Sequence, residues 1–336
     1  MRRAMRVKPI KQRPWFIPFI SSFVVEKTLG PCGLTPDNPL LNRTAYEASV
    51  PLIPPGRGRS VESVDVKVPC ADGSSFNDAR LWTQINSERA AEDTKPIVVY
   101  IHGGGWMLGN CAAQPYTALG RQICSEYECS VLSINYRLAP ENPWPAAVDD
   151  VYQCLLWLGS EESRTVVNGD RQKLILMGES AGGNLAACAS LMWRDRQPKG
   201  VTIAHQVLFS PCIPTRPLRP TRLDPSRANG ALLPEWLMEY FEEQYAGDGV
   251  DISNEPYANP LSAKNGLSGL PPLTGIVGGA EVLRDEGIEY FEAVKAAGNE
   301  ASWKEFEDGY HGFVVFPFGQ SREAWAYVRE RLEGAL

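Results

Sequence analysis

Residues 178–182 read Gly-Glu-Ser-Ala-Gly, directly after the apolar run Leu174-Ile175-Leu176-Met177. A short apolar run, two glycines bracketing one serine and a stretch of small residues together predict a buried strand, a sharp turn and a helix. A side chain at 178 or 182 would crowd that turn and the helix behind it, so glycine is required at both places. Ser180 then stands at the tip of the turn. A serine hydroxyl is a weak nucleophile by itself. It needs a base to take its proton and donors to hold the oxyanion that its attack would create.

The donors are supplied by His102-Gly103-Gly104-Gly105-Trp106, which follows a second buried-strand pattern, Ile97-Val98-Val99-Tyr100-Ile101. Consecutive glycines let the backbone come close to a ligand and turn its N–H groups inward. With the residue after the serine, the expected oxyanion donors are Gly103, Gly104 and Ala181. The base must come from three histidines. His102 belongs to the glycine loop, which it is expected to orient by hydrogen bonds. His205 lies inside the strand pattern Thr202–Phe209 and reads as a structural histidine. His311 sits in the late loop Asp308–Phe313, after the strand-like Ala301–Phe306, and is the expected base. The acid should lie between Ser180 and His311, after another core strand. Pro272–Gly279 provides the strand, and Glu281 stands at its end. Asp285, one helical turn on, is the alternative acid.

Tyr136-Arg-Leu-Ala-Pro-Glu141 adds a further motif to these, and all of them occur in one order along about residues 60–330. In that order the chain resembles the hormone-sensitive lipase family of α/β-hydrolases, which includes microbial carboxylesterases and the arylacetamide deacetylases. The resemblance implies an α/β fold: a mostly parallel eight-stranded sheet with helices on both faces and a helical cap. It implies a cofactor-independent serine hydrolase acting on small to medium carboxylic esters through an acyl-enzyme. The family's acid is usually the aspartate that opens Asp-Pro-Leu-x-Asp, and Glu281-Val282 departs from that. Ser-His-Glu is an accepted variant, so Glu281 is taken as the acid. The same machinery also serves dedicated hydrolases, lactonases and acyltransferases acting on bulky metabolic intermediates. Plant gibberellin receptors resemble this family too, but with the triad histidine replaced. The retention of Ser180, His311 and a carboxylate argues against a non-catalytic receptor.

The alternation of strands and helices over 336 residues predicts one α/β-hydrolase domain. Two segments would form its cap. One is about residues 1–50, where Trp15 and Phe19 are candidates to face the substrate. The other is about residues 211–250, where prolines break the strand–helix rhythm before the helical stretch Pro234–Tyr245. Trp236, Leu237, Tyr240 and Phe241 make the apolar face of that stretch, and Trp236 joins Trp106 and Phe313 as a candidate for the substrate pocket. Asp149 and Asp150 fall in the first turn of the helix expected at Ala146–Leu158, where they read as dipole and salt-bridge support.

A net charge of −7 argues against nucleic acid as a partner. No phosphate loop, dinucleotide fingerprint or metal-ligand spacing stands out, so neither cofactor nor metal is expected. The eight cysteines are scattered, several inside apolar patterns, as small buried thiols would be. Residues 1–13 carry six Lys or Arg, followed by the apolar Trp15–Val25. That run is interrupted by Pro18 and too short to span a bilayer, and no clean cleavage site follows. The expectation is a cytoplasmic protein whose partner is a small-molecule ester. Peripheral membrane contact through the basic arm is the minor alternative, and a homodimer is compatible with the reading.

Overall fold

A computed structural model describes residues 61–85, 94–215, 218, 222, 224, 233–316 and 319–333. Trp15, Phe19 and the first expected cap segment lie outside these residues. One eight-stranded sheet organises them, in the order β1-β2-β4-β3-β5-β6-β7-β8. The strands are β1 (Val61–Pro69), β2 (Phe76–Gln84), β3 (Ile97–Ile101), β4 (Ser130–Ile134), β5 (Leu174–Glu179), β6 (Ile203–Phe209), β7 (Leu273–Gly278) and β8 (Ala301–Phe306). β2 runs antiparallel to both β1 and β4, and every other pairing is parallel. β3, β4, β5 and β7 are buried along their whole length. Strands covered on both faces read as near-continuous apolar runs, and the β3 and β5 segments stood out in the sequence in this way.

The helices among the described residues are α1 (Gln114–Tyr127), α2 (Ala146–Leu158), the single turn α3 (Glu161–Arg164), α4 (Ala181–Arg196), α5 (Glu235–Ala246), α6 (Arg284–Ala296) and α7 (Ser321–Leu332). The pleat divides the core in two. Ile97, Val99, Leu174 and Leu176 pack on α2, α4 and α6. Val98, Tyr100, Ile175 and Met177 face α1 and α7 on the other side. β1 is largely exposed, with Val64 55% exposed, because it is the outermost strand of the sheet.

Asp150 is more deeply embedded than helix-dipole support requires. Its carboxylate is buried and accepts from Ala71 N (2.9 Å), Asn77 Nδ2 (3.0 Å) and Arg137 N (2.9 Å), and pairs with the Arg137 guanidinium at 2.8 Å. It ties the β1–β2 turn and the loop after β4 to the start of α2.

α5 also departs from the expected face. Leu237, Met238, Phe241, Glu242, Tyr245 and Ala246 are its buried side chains, while Trp236 is 50% exposed. The helix turns Tyr245 onto the Trp106 ring at a centroid distance of 4.3 Å and an interplanar angle of 2°. Of the described residues, no helix is long and apolar enough to cross a membrane.

Candidate active site

Parallel pairing in register brings the ends of five strands together: Ile101 lies beside Gly178, Glu179 beside Phe209, Phe209 beside Ile276, and Gly278 beside Phe306. Each following loop starts at this edge and carries a residue singled out above. This is the place where open α/β sheets bind their ligands.

Ser180 sits between β5 and α4 at φ +56° and ψ −123°, a conformation that L-residues avoid. Two close approaches hold it there. A Cβ at Gly178 would fall 2.3 Å from Gly182 O, and one at Gly182 would fall 2.1 Å from Ile101 O. The absent side chains let α4 lie directly against the end of β3, which puts the glycine loop beside the serine. Ser180 N donates to Phe209 O at 2.9 Å, pinning the turn to β6.

His311 Nδ1–H donates to Glu281 Oε2 at 2.7 Å, and His311 Nε2 lies 2.9 Å from Ser180 Oγ, where it accepts the hydroxyl hydrogen. Glu281 is 1% exposed. Its second oxygen, Oε1, accepts from Ser210 Oγ at 2.5 Å and from Gly278 N at 2.6 Å. The loops that carry the acid and the histidine are pinned to each other, since Ala280 N donates to Gly309 O at 2.9 Å and Gly279 N to Phe306 O at 2.7 Å. Asp285, the alternative acid, pairs instead with Arg284 at 2.6 Å in the first turn of α6.

Of the three expected donors, Gly103 is the one the structure reassigns. Its N–H donates to Glu179 Oε1 at 2.8 Å and so is turned away from any oxyanion. Gly104 and Gly105 follow at φ +113° and +60°, conformations open to glycine. Ala181 is the first residue of α4. The leading N–H groups of a helix have no partner inside it, and the positive end of the helix dipole points at Ser180. With Gly103 N–H committed to Glu179, the backbone N–H groups of Gly104, Gly105 and Ala181 remain as candidate donors.

The pocket candidates fare differently. Trp106 is wholly buried under Tyr245, and Phe313 is 2% exposed and packed on Phe306 at 5.6 Å, so both are core residues. Trp236 faces solvent. An aromatic that follows a glycine loop or a site histidine looks the same in sequence whether it faces a pocket or the core. His102 stacks on Tyr136 at 4.5 Å, its Nδ1–H donates to Gly103 O at 2.8 Å, and burial pushes its pKa down to about 4, so it is neutral. His205 is bonded to Thr274 Oγ1 at 2.9 Å, and burial likewise lowers its pKa to about 4. Glu179, Tyr116 and Ser210 surround the site and escaped the sequence reading, because nothing local marks them. Among the described residues, no three His, Cys, Asp or Glu are grouped to hold a metal ion.

The sequence profile of the alpha/beta hydrolase fold matches residues 98–315. The carboxylic ester hydrolase LipN of Mycobacterium tuberculosis is 33% identical over 296 residues, covering 87% of this chain and 75% of that protein. The carboxylesterase NlhH of the same species is 34% identical over 228 residues, 67% of this chain and 68% of the relative. A hyperthermophilic esterase from the archaeon Pyrobaculum calidifontis superposes with a TM-score of 0.82 at 29% identity, covering 97% of this chain and 99% of its own. With these motifs, this sheet and these relatives, the chain belongs to the hormone-sensitive lipase/carboxylesterase family of α/β-hydrolases.

Proposed function

We propose that this chain is a serine carboxylesterase that hydrolyses small to medium carboxylic esters through an acyl-enzyme. The observation that carries the reading is the unbroken relay from Glu281 through His311 to Ser180, with contacts of 2.7 and 2.9 Å. Ser180 Oγ bonds to the ester carbonyl carbon while its proton passes to His311 Nε2. Glu281 fixes the tautomer that leaves Nε2 free to accept, and stabilises the imidazolium that results. The carbonyl oxygen, now an anion, takes hydrogen bonds from Gly104, Gly105 and Ala181 N–H. Collapse expels the alcohol, which takes the proton back from His311. Water then repeats the sequence on the acyl-enzyme, losing its proton to His311 and releasing the acid.

Residues 211–250 are proposed as part of a cap. In support, α5 lies over the glycine loop, where a Cβ on Gly105 would fall 2.3 Å from the Phe241 ring. Cytoplasmic residence is the companion proposal. It is supported by the seven described cysteines, all of them buried free thiols.

Hydrolysis of p-nitrophenyl esters from acetate to laurate, by wild type and Ser180→Ala, tests the function. Turnover should fall by roughly 10⁴-fold or more in the variant. Equal rates in the two proteins, or no wild-type turnover on any ester, would refute it.

A further inference from the structure

A second carboxylate stands at the elbow, and the relay does not use it. Glu179 is the last residue of β5 and is 5% exposed. Its Oε1 accepts from Gly103 N at 2.8 Å and from the Tyr116 hydroxyl, in the first turn of α1, at 2.7 Å. Burial raises its pKa, against the opposing pull of the Tyr116 hydroxyl, the nearby His311 and Gly103 N–H. A buried carboxylate is unfavourable unless its bonds are good. A neutral residue at the end of β5 would avoid that expense.

The bonds lead to the glycine loop. Three successive glycines give that loop wide backbone freedom, which must be lost before its N–H groups can act together. Its far side is held by Leu108 N and Met107 N, which donate to Gly104 O at 2.9 and 3.2 Å, and by the Tyr136 hydroxyl on His102 O at 2.9 Å. The tie from Gly103 to Glu179 is different in kind, because Glu179 is joined to Ser180 by a peptide bond. The separation between nucleophile and donors is thereby set across one hydrogen bond. The fit leaves no spare room: a Cβ on Gly103 would fall 2.1 Å from Glu179 Oε2.

We infer that Glu179, braced by Tyr116, is a positioning residue that locks the oxyanion loop to the backbone of the nucleophile. The inference rests on the carboxylesterase reading above. It sets the register of the Gly104 and Gly105 N–H groups against Ser180 Oγ and leaves substrate binding alone.

The test is steady-state hydrolysis of p-nitrophenyl acetate, inhibition by a phenyl trifluoromethyl ketone (a tetrahedral adduct that fills the oxyanion hole) and thermal melting. The variants are Glu179→Ala, Glu179→Gln, Gly103→Ala and the double Gly103→Ala/Glu179→Ala. Glu179→Ala should lose kcat on the order of 10²-fold with KM changed by less than about threefold. Affinity for the ketone should fall in parallel, since that adduct and the transition state use the same donors. Glu179→Gln keeps an oxygen to accept from Gly103 and Tyr116, and should recover kcat to within about fivefold of wild type. Gly103→Ala should resemble Glu179→Ala, and the double variant should be no worse than either, because all three break one tie. Four results would overturn the inference: wild-type turnover in Glu179→Ala, lost turnover with ketone affinity intact, Glu179→Gln as damaged as Glu179→Ala, or additive losses in the double variant. If the alanine variants do not fold, Tyr116→Phe carries the test, with an expected loss of about threefold to tenfold in kcat and in ketone affinity alike. No change in either would again overturn it. Wild-type protein without turnover would count against the esterase reading, not against the lock.

Discussion

Glutamate reaches one methylene further than aspartate, and two donors take up the difference. Ser210 Oγ and Gly278 N hold one oxygen of Glu281, leaving the other 2.7 Å from His311 Nδ1. Ser210 is itself at φ +43°, a strained setting that aims its hydroxyl at the carboxylate. Glu281→Asp should therefore not act as a conservative change. Withdrawing the carboxylate by one carbon should lower kcat by about 10²-fold, and Glu281→Gln, which disturbs the tautomer, by about 10³–10⁴-fold. Asp285→Asn should stay within about threefold of wild type, because its partner is Arg284 and not the histidine. Stopped-time assays of the three variants on one ester check all of this. Equal loss in Asp285→Asn and Glu281→Gln would remove Glu281 from its proposed role.

At the scale of elements, α5 and the glycine loop stabilise each other. Trp106 is 0% exposed at φ +58°, stacked under Tyr245, while Phe241 fills the space that Gly105 leaves open. Trp106→Ala should cost about 3–5 kcal/mol in urea unfolding, against less than about 0.5 for the exposed Trp236→Ala. A small loss at Trp106 would mean that the loop relaxes into the gap. The same elements show what a sequence can carry. β3, β5 and β7 were legible because burial on both faces leaves mostly apolar residues, and the elbow because two glycines are sterically required. The order serine, acid, histidine was legible for the same reason, since each residue closes a recognisable strand. Trp106, Phe313 and Gly103 were misassigned because side-chain and N–H directions depend on neighbours far along the chain. The bond from Gly103 to Glu179 joins residues 76 apart, and that from Ser210 to Glu281 joins residues 71 apart. No local pattern encodes such a pair.

For the molecule as a whole, the buried histidines couple stability to pH. Burial depresses the pKa of His205 from 6.5 to about 4 in the folded chain, so the unfolded chain takes up its proton first as pH falls. The stability this neutral histidine contributes is full above pH 6.5 and is lost as pH falls toward 4. Replacing it by asparagine should flatten the pH dependence of unfolding free energy in that window by about 1.4 kcal/mol per pH unit. An unchanged slope, measured by urea titration at several pH values, would show that His205 is protonated in the folded chain. The same long-range build has a consequence in time. The relay joins residues 131 positions apart in Ser180 and His311, and His311 follows β8, the last strand of the sheet in both sequence and space. On the proposed relay, a nascent chain still short of that strand holds its serine without its base. Hydrolytic competence therefore arrives as a late event in synthesis, and in refolding it should trail the recovery of helix signal. On that relay the unfinished protein should spare the esters of the cell that is making it.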